Sequence, residues 1–229
     1  MKTPMRDAAI ESVLRRLYGM HQRQTPSLLF HFLPRMVLHR IKGTRYLEFD
    51  DRFFRDKLVA LDRDKNEFNY AMCRALRARR VVEVGTSFGV STLYLAAAVR
   101  ENVAAYGGGG VVIGTELEPS KVAAARANFQ QAGVSQYVDL REGDALTTLE
   151  DVGGEVDFVL VDTWIAVAKP ALERLVPRLR PGAVVVCDQV VAAAKDYADY
   201  LGYVRNPANG FVSVTVPYSG GLEVSVRSG

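Results

Sequence analysis

Along this chain the spacing of apolar positions changes near residue 80. Before it, Ile10, Val13, Leu14, Leu17 and Tyr18 stand at i, i+3, i+4, i+7 and i+8, one buried face of a helix. A second apolar stretch, Leu28 to Leu38, is interrupted by Pro34. After a turn-like Lys42-Gly43-Thr44, a third helix is expected to include Phe53, Phe54, Leu58 and Leu61. A fourth repeats the helical spacing through Phe68, Ala71, Met72, Ala75 and Leu76. It ends on the basic run Arg77–Arg80, which suits the negative end of a helix dipole. From Val81 onward short β-rich runs take over: Val81–Val84, Val111–Glu116, Tyr137–Arg141, Phe158–Val161 and Ala183–Cys187. Helical stretches near residues 90–100, 119–133, 166–179 and 191–201 separate or follow them. Continuous Val/Ile/Leu runs between helices predict a parallel sheet covered on both faces. The last segment, FVSVTVPY-SGG-LEVSVR, alternates around a Gly-Gly turn and predicts an antiparallel hairpin.

Length and composition narrow this picture. The 229 residues make one large domain, or a domain with an extension, and 48% hydrophobic with 24% charged residues is ordinary globular composition. No run approaches 18 apolar residues, so no membrane span is expected, and MKTPMRDAAIE does not read as a signal peptide. Cys73 and Cys187 read as free buried thiols, and a cytoplasmic location is expected. The net charge of +3 hides an asymmetry. Residues 1–80 carry 18 Lys+Arg against 9 Asp+Glu, residues 81–229 carry 11 against 17, and His21, His31 and His39 all lie in the first part. Chemistry in the later part therefore works without a local histidine, unless the first segment folds over it.

The sharpest local signal is Glu83-Val84-Gly85-Thr86-Ser87-Phe88-Gly89-Val90-Ser91, which follows a strand and opens a helix. Glycines at 85 and 89 let the backbone approach a ligand closely. Their spacing is not the G-x-G-x-x-G of dinucleotide folds, and Glu83 at the strand end would repel a phosphate but suit a cationic ligand. Glu116, in Gly114-Thr115-Glu116-Leu117-Glu118-Pro119, ends the next strand, where a carboxylate accepts hydrogen bonds from vicinal ribose hydroxyls. Glu118, just before Pro119, reads instead as an exposed helix cap. In Glu142-Gly143-Asp144-Ala145, Asp144 is placed to accept from an adenine amino group while Gly143 leaves room for the base; alone, such an Asp is an ordinary turn residue.

Taken in order, EVGTSFGVS, GTELEP, REGDAL, FVLVDTW, VVVCDQ and the closing VTVPYSGGLEVSVR hairpin make residues 66–229 resemble class I S-adenosylmethionine-dependent methyltransferases, particularly the catechol and caffeoyl-CoA O-methyltransferase group. The resemblance implies a Rossmann-like α/β fold with a seven-stranded, mostly parallel sheet in the order 3-2-1-4-5-7-6, strand seven antiparallel. Residues 1–65 would be a helical extension that covers the cleft or supplies a dimer contact through its basic, aromatic stretch (His31, Phe32, Arg35, His39, Arg40). The resemblance assigns S-adenosylmethionine to Glu83, Gly85, Thr86, Ser87, Gly89 and Ser91 on the methionine side. Glu116 and Leu117 fall to the ribose, and Gly143, Asp144, Ala145, Asp162 and Thr163 to the adenine side and the sulfonium. It implies a small-molecule acceptor and a homodimer.

The same resemblance implies a divalent cation, Mg²⁺ or Ca²⁺, held by Asp162, Asp188 and Gln189, which lowers the pKa of a substrate hydroxyl. This chain departs from the pattern there. Gln189 replaces an asparagine, and Ile165 occupies the position of the general-base lysine, with Lys169 a turn further on. Asp162 and Trp164 are then the catalytic candidates, Asp162 orienting the acceptor or taking its proton and Trp164 walling a flat acceptor. Tyr218, in the hairpin turn, is a weaker candidate for the same cleft. The leading expectation is O-methylation of a small hydroxylated or aromatic acceptor by in-line transfer. Alternatives are a metal-independent O- or N-methyltransferase, a scaffold that has lost catalysis, and a nucleic-acid binder using the basic segment. Against the last, that segment interleaves Asp50, Asp51, Asp56, Asp62 and Asp64, and Asp162-Thr163-Trp164-Ile165 is not the Asn/Asp-Pro-Pro-aromatic loop of base methyltransferases.

Overall fold

The computed structural model describes Met5, residues 7–42 and residues 51–229. Seven strands form one sheet in the order β3-β2-β1-β4-β5-β7-β6: β1 Arg80–Val84, β2 Val111–Glu116, β3 Val138–Glu142, β4 Val156–Val161, β5 Leu179–Asp188, β6 Phe211–Val216 and β7 Leu222–Arg227. The first five run parallel, and β7 is antiparallel to both β5 and β6. This is the topology that the resemblance implies. The central strands carry continuous apolar runs, Phe158–Val161 and Ala183–Cys187, because helices cover both faces. On one face lie α3 (Arg63–Ala75), α4 (Val90–Tyr106) and α5 (Pro119–Gln131); on the other, α7 (Ile165–Leu175) and α8 (Ala198–Val204). A single turn, α6 (Ala145–Thr148), follows β3.

The N-terminal region differs from its sequence-based expectation in three ways. First, α1 runs unbroken from Ala8 to Lys42 through both Pro26 and Pro34. Proline's fixed φ is compatible with a helix, at the cost of a lost hydrogen bond and of crowding the carbonyl one turn before it. Second, α2 is only Asp51–Phe54; Leu58 and Leu61 sit in an irregular strip, although both are buried as expected. Gly43 and Thr44 of the expected turn lie outside the described residues, as do the side chains of Phe32, Arg35, His39 and Arg40. Third, the most buried face of α3 is polar. Lys65, Asn66, Asn69, Tyr70 and Cys73 point inward, whereas Ala71 and Ala75 are exposed and Phe68, Met72 and Leu76 only flank the core. Several polar groups on that face are paired, which offsets part of the cost of burying them. Asn66 donates to the Leu61 carbonyl at 3.0 Å and to the Tyr18 hydroxyl at 3.1 Å, and Tyr70 donates to Glu101 at 2.6 Å.

α1 is held to the sheet domain at its first half. Ile10, Val13, Leu14 and Leu17 enter the same apolar cluster as β1 and α4, as their spacing predicted. Arg16 donates to Asn128 and Gln131 of α5, both at 2.8 Å, and Arg100 pairs with Asp7 at 2.7 Å. α1 in turn pins the strip before α3. Gln24 donates to the Asp56 carbonyl at 3.0 Å and accepts from the Leu58 amide at 2.8 Å, and His21 Nδ1 meets the Leu58 carbonyl at 2.8 Å. Cys73 and Cys187 are free and buried, and among the described residues no helix is long and apolar enough to cross a membrane.

Buried Asn102 of α4 fixes α3 against β1 by donating to the carbonyls of Cys73 (2.9 Å) and Ala78 (2.8 Å). Asn102→Ala leaves both acceptors without that partner. Urea unfolding should show a loss of about 1–3 kcal/mol, and an unchanged midpoint would overturn this account of how α3 is positioned.

Candidate functional site

Strand register builds the site. Val84 pairs with Thr115 on one side and Val161 on the other, so the next residues, Gly85, Glu116 and Asp162, emerge together at the carboxyl edge of the sheet. Glu116 pairs with Glu142, which brings Gly143 beside it, and Val161 pairs with Cys187, which brings Asp188 beside Asp162. The crevice at this edge is where open α/β sheets place ligands. Here it is a cleft of about 1060 Å³.

Backbone geometry shapes its floor. Gly85 has φ +95°, and a Cβ there would sit 2.1 Å from the Asp162 carbonyl oxygen. Only glycine fits so close a crossing. Gly89, at φ +85°, is required for a different reason: a Cβ would run into the Phe129 ring at 2.4 Å. Glu116 clamps two loops, accepting at 2.8 Å from the Ser87 amide through Oε2 and at 2.8 Å from the Glu118 amide through Oε1. Each carboxylate oxygen keeps a further lone pair toward the cleft.

Of the residues singled out in the sequence, Gly85, Thr86, Ser87, Ser91, Glu116, Leu117, Gly143, Asp144, Ala145, Asp162, Thr163, Trp164, Asp188 and Gln189 all line this one cleft. Five others are placed elsewhere. Gly89 packs beneath the loop on Phe129. Glu83 is fully buried under it, accepting from Thr86 at 2.9 Å and from Thr92 at 2.5 Å, so it braces the loop from below. Burial raises the Glu83 pKa despite the hydroxyls of Ser91, Thr92 and Thr86. Tyr218 packs on Phe68, ring centroids 5.7 Å apart, and does not line the cleft. Lys169 pairs with Glu173 at 3.6 Å on the outside of α7, and Ile165 lines the cleft in its stead. Glu118 stands at the N-cap of α5 without a side-chain cap bond and is half-buried; its carboxylate takes Ser120 at 3.1 Å and Arg55 at 3.3 Å. Asp144 is the true cap, accepting from the Leu146 amide of α6 at 3.0 Å.

Several cleft residues carried no sequence signal. Leu29 of α1, Phe54 of α2 and the strip Leu58–Leu61 wall one side, and Val191–Tyr197, after β5, walls another. The Phe54 ring meets Trp164 edge-on at 5.4 Å, and His31 stacks on Phe53 at 3.6 Å. Trp164, 42% exposed, thus presents an aromatic surface to the cleft from a braced position. At the centre, Asp162 has its pKa raised to about 8 by burial and then by the negative charges of Asp188 and Glu83.

The three expected metal donors converge at one corner of the cleft, where two of them are engaged by other groups of the chain. Asp188 Oδ1 is taken by the ammonium of Lys65 at 2.7 Å. Asp188 Oδ2 accepts from Gln189 Nε2 at 3.4 Å. The Gln189 Oε1 packs over Gly220, where a Cβ would sit 2.3 Å from it. Among the described residues no group of three His, Cys, Asp or Glu is arranged to hold a metal ion.

Comparison with known proteins agrees with this geometry. A family model described as a methyltransferase domain matches residues 82–190, the segment from β1 to just past Asp188. A catechol O-methyltransferase of Mycobacterium tuberculosis is 34% identical over 134 residues, 58% of each chain. A putative O-methyltransferase of Mycobacterium sp. (strain JLS) is 30% identical over 173 residues, 68% of this chain and 74% of the relative. The chain spans about three-fifths of the length of the catechol O-methyltransferases that it matches. The cofactor-bound crystal structure of Rv0187 from MTB superposes with a TM-score of 0.65 at 27% identity, covering 74% of this chain and 82% of that one. That of the O-methyltransferase TomG from Streptomyces achromogenes in complex with SAM gives 0.63 at 24%, covering 75% and 82%.

Gly85→Ala tests the crossing at the floor. Positive φ and the Asp162 carbonyl together should lower unfolding stability by about 2–4 kcal/mol in urea titration. A variant as stable as the parent would mean the two loops are not in this contact.

Proposed function

We propose a function from one premise: this chain belongs to the class I S-adenosylmethionine-dependent methyltransferases, in their O-methyltransferase group. Its function is the transfer of a methyl group from S-adenosylmethionine to a hydroxyl of a small aromatic acceptor. The observation that carries it is the convergence of Gly85, Glu116, Asp162 and Trp164 on one cleft. The residues fit the cofactor: a floor without side chains at Gly85, a carboxylate at Glu116 for the ribose diol, and Gly143, Ala145 and Thr163 for the base. That TomG was solved with SAM in the same fold adds support.

The cofactor supplies an electrophilic methyl on a positively charged sulfur; the chain supplies position and a proton acceptor. The carboxyl oxygens of Asp162 and Asp188 line the strand ends and present acceptors toward a sulfonium. Trp164, Phe54 and Val191 form apolar walls that hold a flat ring and exclude water. Asp162 faces the acceptor hydroxyl and, once ionised, takes its proton, which a pKa of about 8 makes most favourable at alkaline pH; the cofactor, held over the strand ends, would offer its methyl in line with that oxygen. Alignment of this kind accounts for most of the rate gain in such a displacement. No step runs through a metal, since the donors at Asp188 and Gln189 are already engaged.

Calorimetry should detect binding of S-adenosylhomocysteine, weakened tenfold or more by Glu116→Ala, a loss of about 1.4 kcal/mol or more. A catechol panel should give methylated product, and Asp162→Asn should lower kcat by about 10²–10⁴-fold. Absence of binding heat with the parent chain would sink the cofactor assignment. An Asp162→Asn variant at parental kcat would remove Asp162 from the chemistry.

A further inference from the structure

Lys65 is the least expected residue near this cleft. It lies in the first turn of α3, Arg63–Ala75, with none of its surface exposed, and its ammonium stands 2.7 Å from Asp188 Oδ1 and 3.3 Å from Asp62 Oδ2. A lysine is almost never fully buried unless paired, because a charge out of water costs several kcal/mol. Here it is paired to a carboxylate that itself lines the cleft, 123 residues away in sequence. The side chain of Gln189, at φ +62°, closes over the other oxygen of Asp188. The two carboxylates at the ends of β4 and β5 therefore share their corner with one positive charge that the chain itself provides.

We propose that the Lys65 ammonium is the built-in cation of this site, occupying on Asp188 the place that a divalent ion would need, so that the site runs without metal. The inference rests on the O-methyltransferase reading, in which Asp162 faces the acceptor, but its central claim concerns charge and is measurable separately. Chemistry and sterics argue the same way. An ammonium at hydrogen-bond distance repels a dication and removes one of its carboxylate oxygens. Lys65 also balances one of the two negative charges, leaving Asp162 as the carboxyl free for the acceptor. Lys65 does not line the cleft, so it acts through Asp188 and is a positioning residue. Its place in α3, directly after the strip Leu58–Leu61, ties the charge of the site to the chain segment that walls it.

The test uses the full chain, stripped with EDTA and dialysed, and titrated with Mn²⁺ by calorimetry. The parent should bind no Mn²⁺ at millimolar concentration, and any methyl transfer on the catechol panel should be indifferent to EDTA. Lys65→Ala, by freeing Asp188 beside Asp162, should gain one Mn²⁺ site, whereas Lys65→Arg, which keeps the charge, should not. Where Lys65→Ala fails to fold, Lys65→Gln keeps a neutral donor to Asp188 and should gain the same site more weakly. A merely structural lysine would not create a cation site on removal. Mn²⁺ binding by the parent in competition with Mg²⁺, or a folded Lys65→Ala variant with no Mn²⁺ site, would overturn the proposal. S-adenosylhomocysteine binding on the same samples keeps the two readings apart: its absence defeats the cofactor assignment while the Mn²⁺ titrations still judge Lys65.

Discussion

The carbonyl oxygen of Asp162 lies where a β-carbon of residue 85 would be. That single crossing lets the loop after β1 lie flat over the end of β4, and the rest of the site is organised around it. With the loop down, the Ser87 amide reaches Glu116, and Thr86 and Thr92 reach the buried Glu83. Register then delivers Gly143 and Asp188 to either side without further devices. A sheet with one side chain too many at this point would have to lift its first loop, and the carboxylate clamp on Ser87 would be lost with it.

Charge is handled by enclosure. Three acidic side chains, Glu83, Asp162 and Asp188, gather at adjoining strand ends, and each is treated differently. Glu83 is sealed below the loop among hydroxyls and has its pKa raised by burial. Asp188 is paired with Lys65. Asp162 stays on the cleft wall with its pKa raised to about 8. Pairs of titratable groups pushed apart by their surroundings are how one site separates structural from chemical roles.

The sheet and much of the cleft were legible in the chain because buried parallel strands leave continuous apolar runs and close crossings demand glycine. Val111–Glu116 was read residue for residue. The misplaced parts share a cause. Hydrophobicity places the α3 stripe on Phe68, Ala71, Met72, Ala75 and Leu76, yet the face that turns inward carries Lys65 and Asn66, whose partners Asp188 and Tyr18 lie far along the chain. Periodicity of apolar residues has no means of registering a polar residue that is buried because it is paired. Likewise Glu83 stands beside the glycines in sequence but lies on the opposite side of the loop from the cleft, and Pro34 lies inside α1, where sequence alone marks a break.

The cleft is assembled from two sources. Strand-end loops between residues 85 and 163 make one part of its wall, whereas Leu29, Phe54, Leu58–Leu61 and Val191–Tyr197 make the other. Part of the second set is fixed through its backbone, the Leu58 amide on Gln24 and the Val191 and Ala192 amides on the Gly220 carbonyl, bonds that leave Val59, Val191 and Ala192 free to vary in side chain. Divergence among related chains is therefore free to remodel the second set, changing the shape of the guest, while the first stays under the geometric discipline of the sheet.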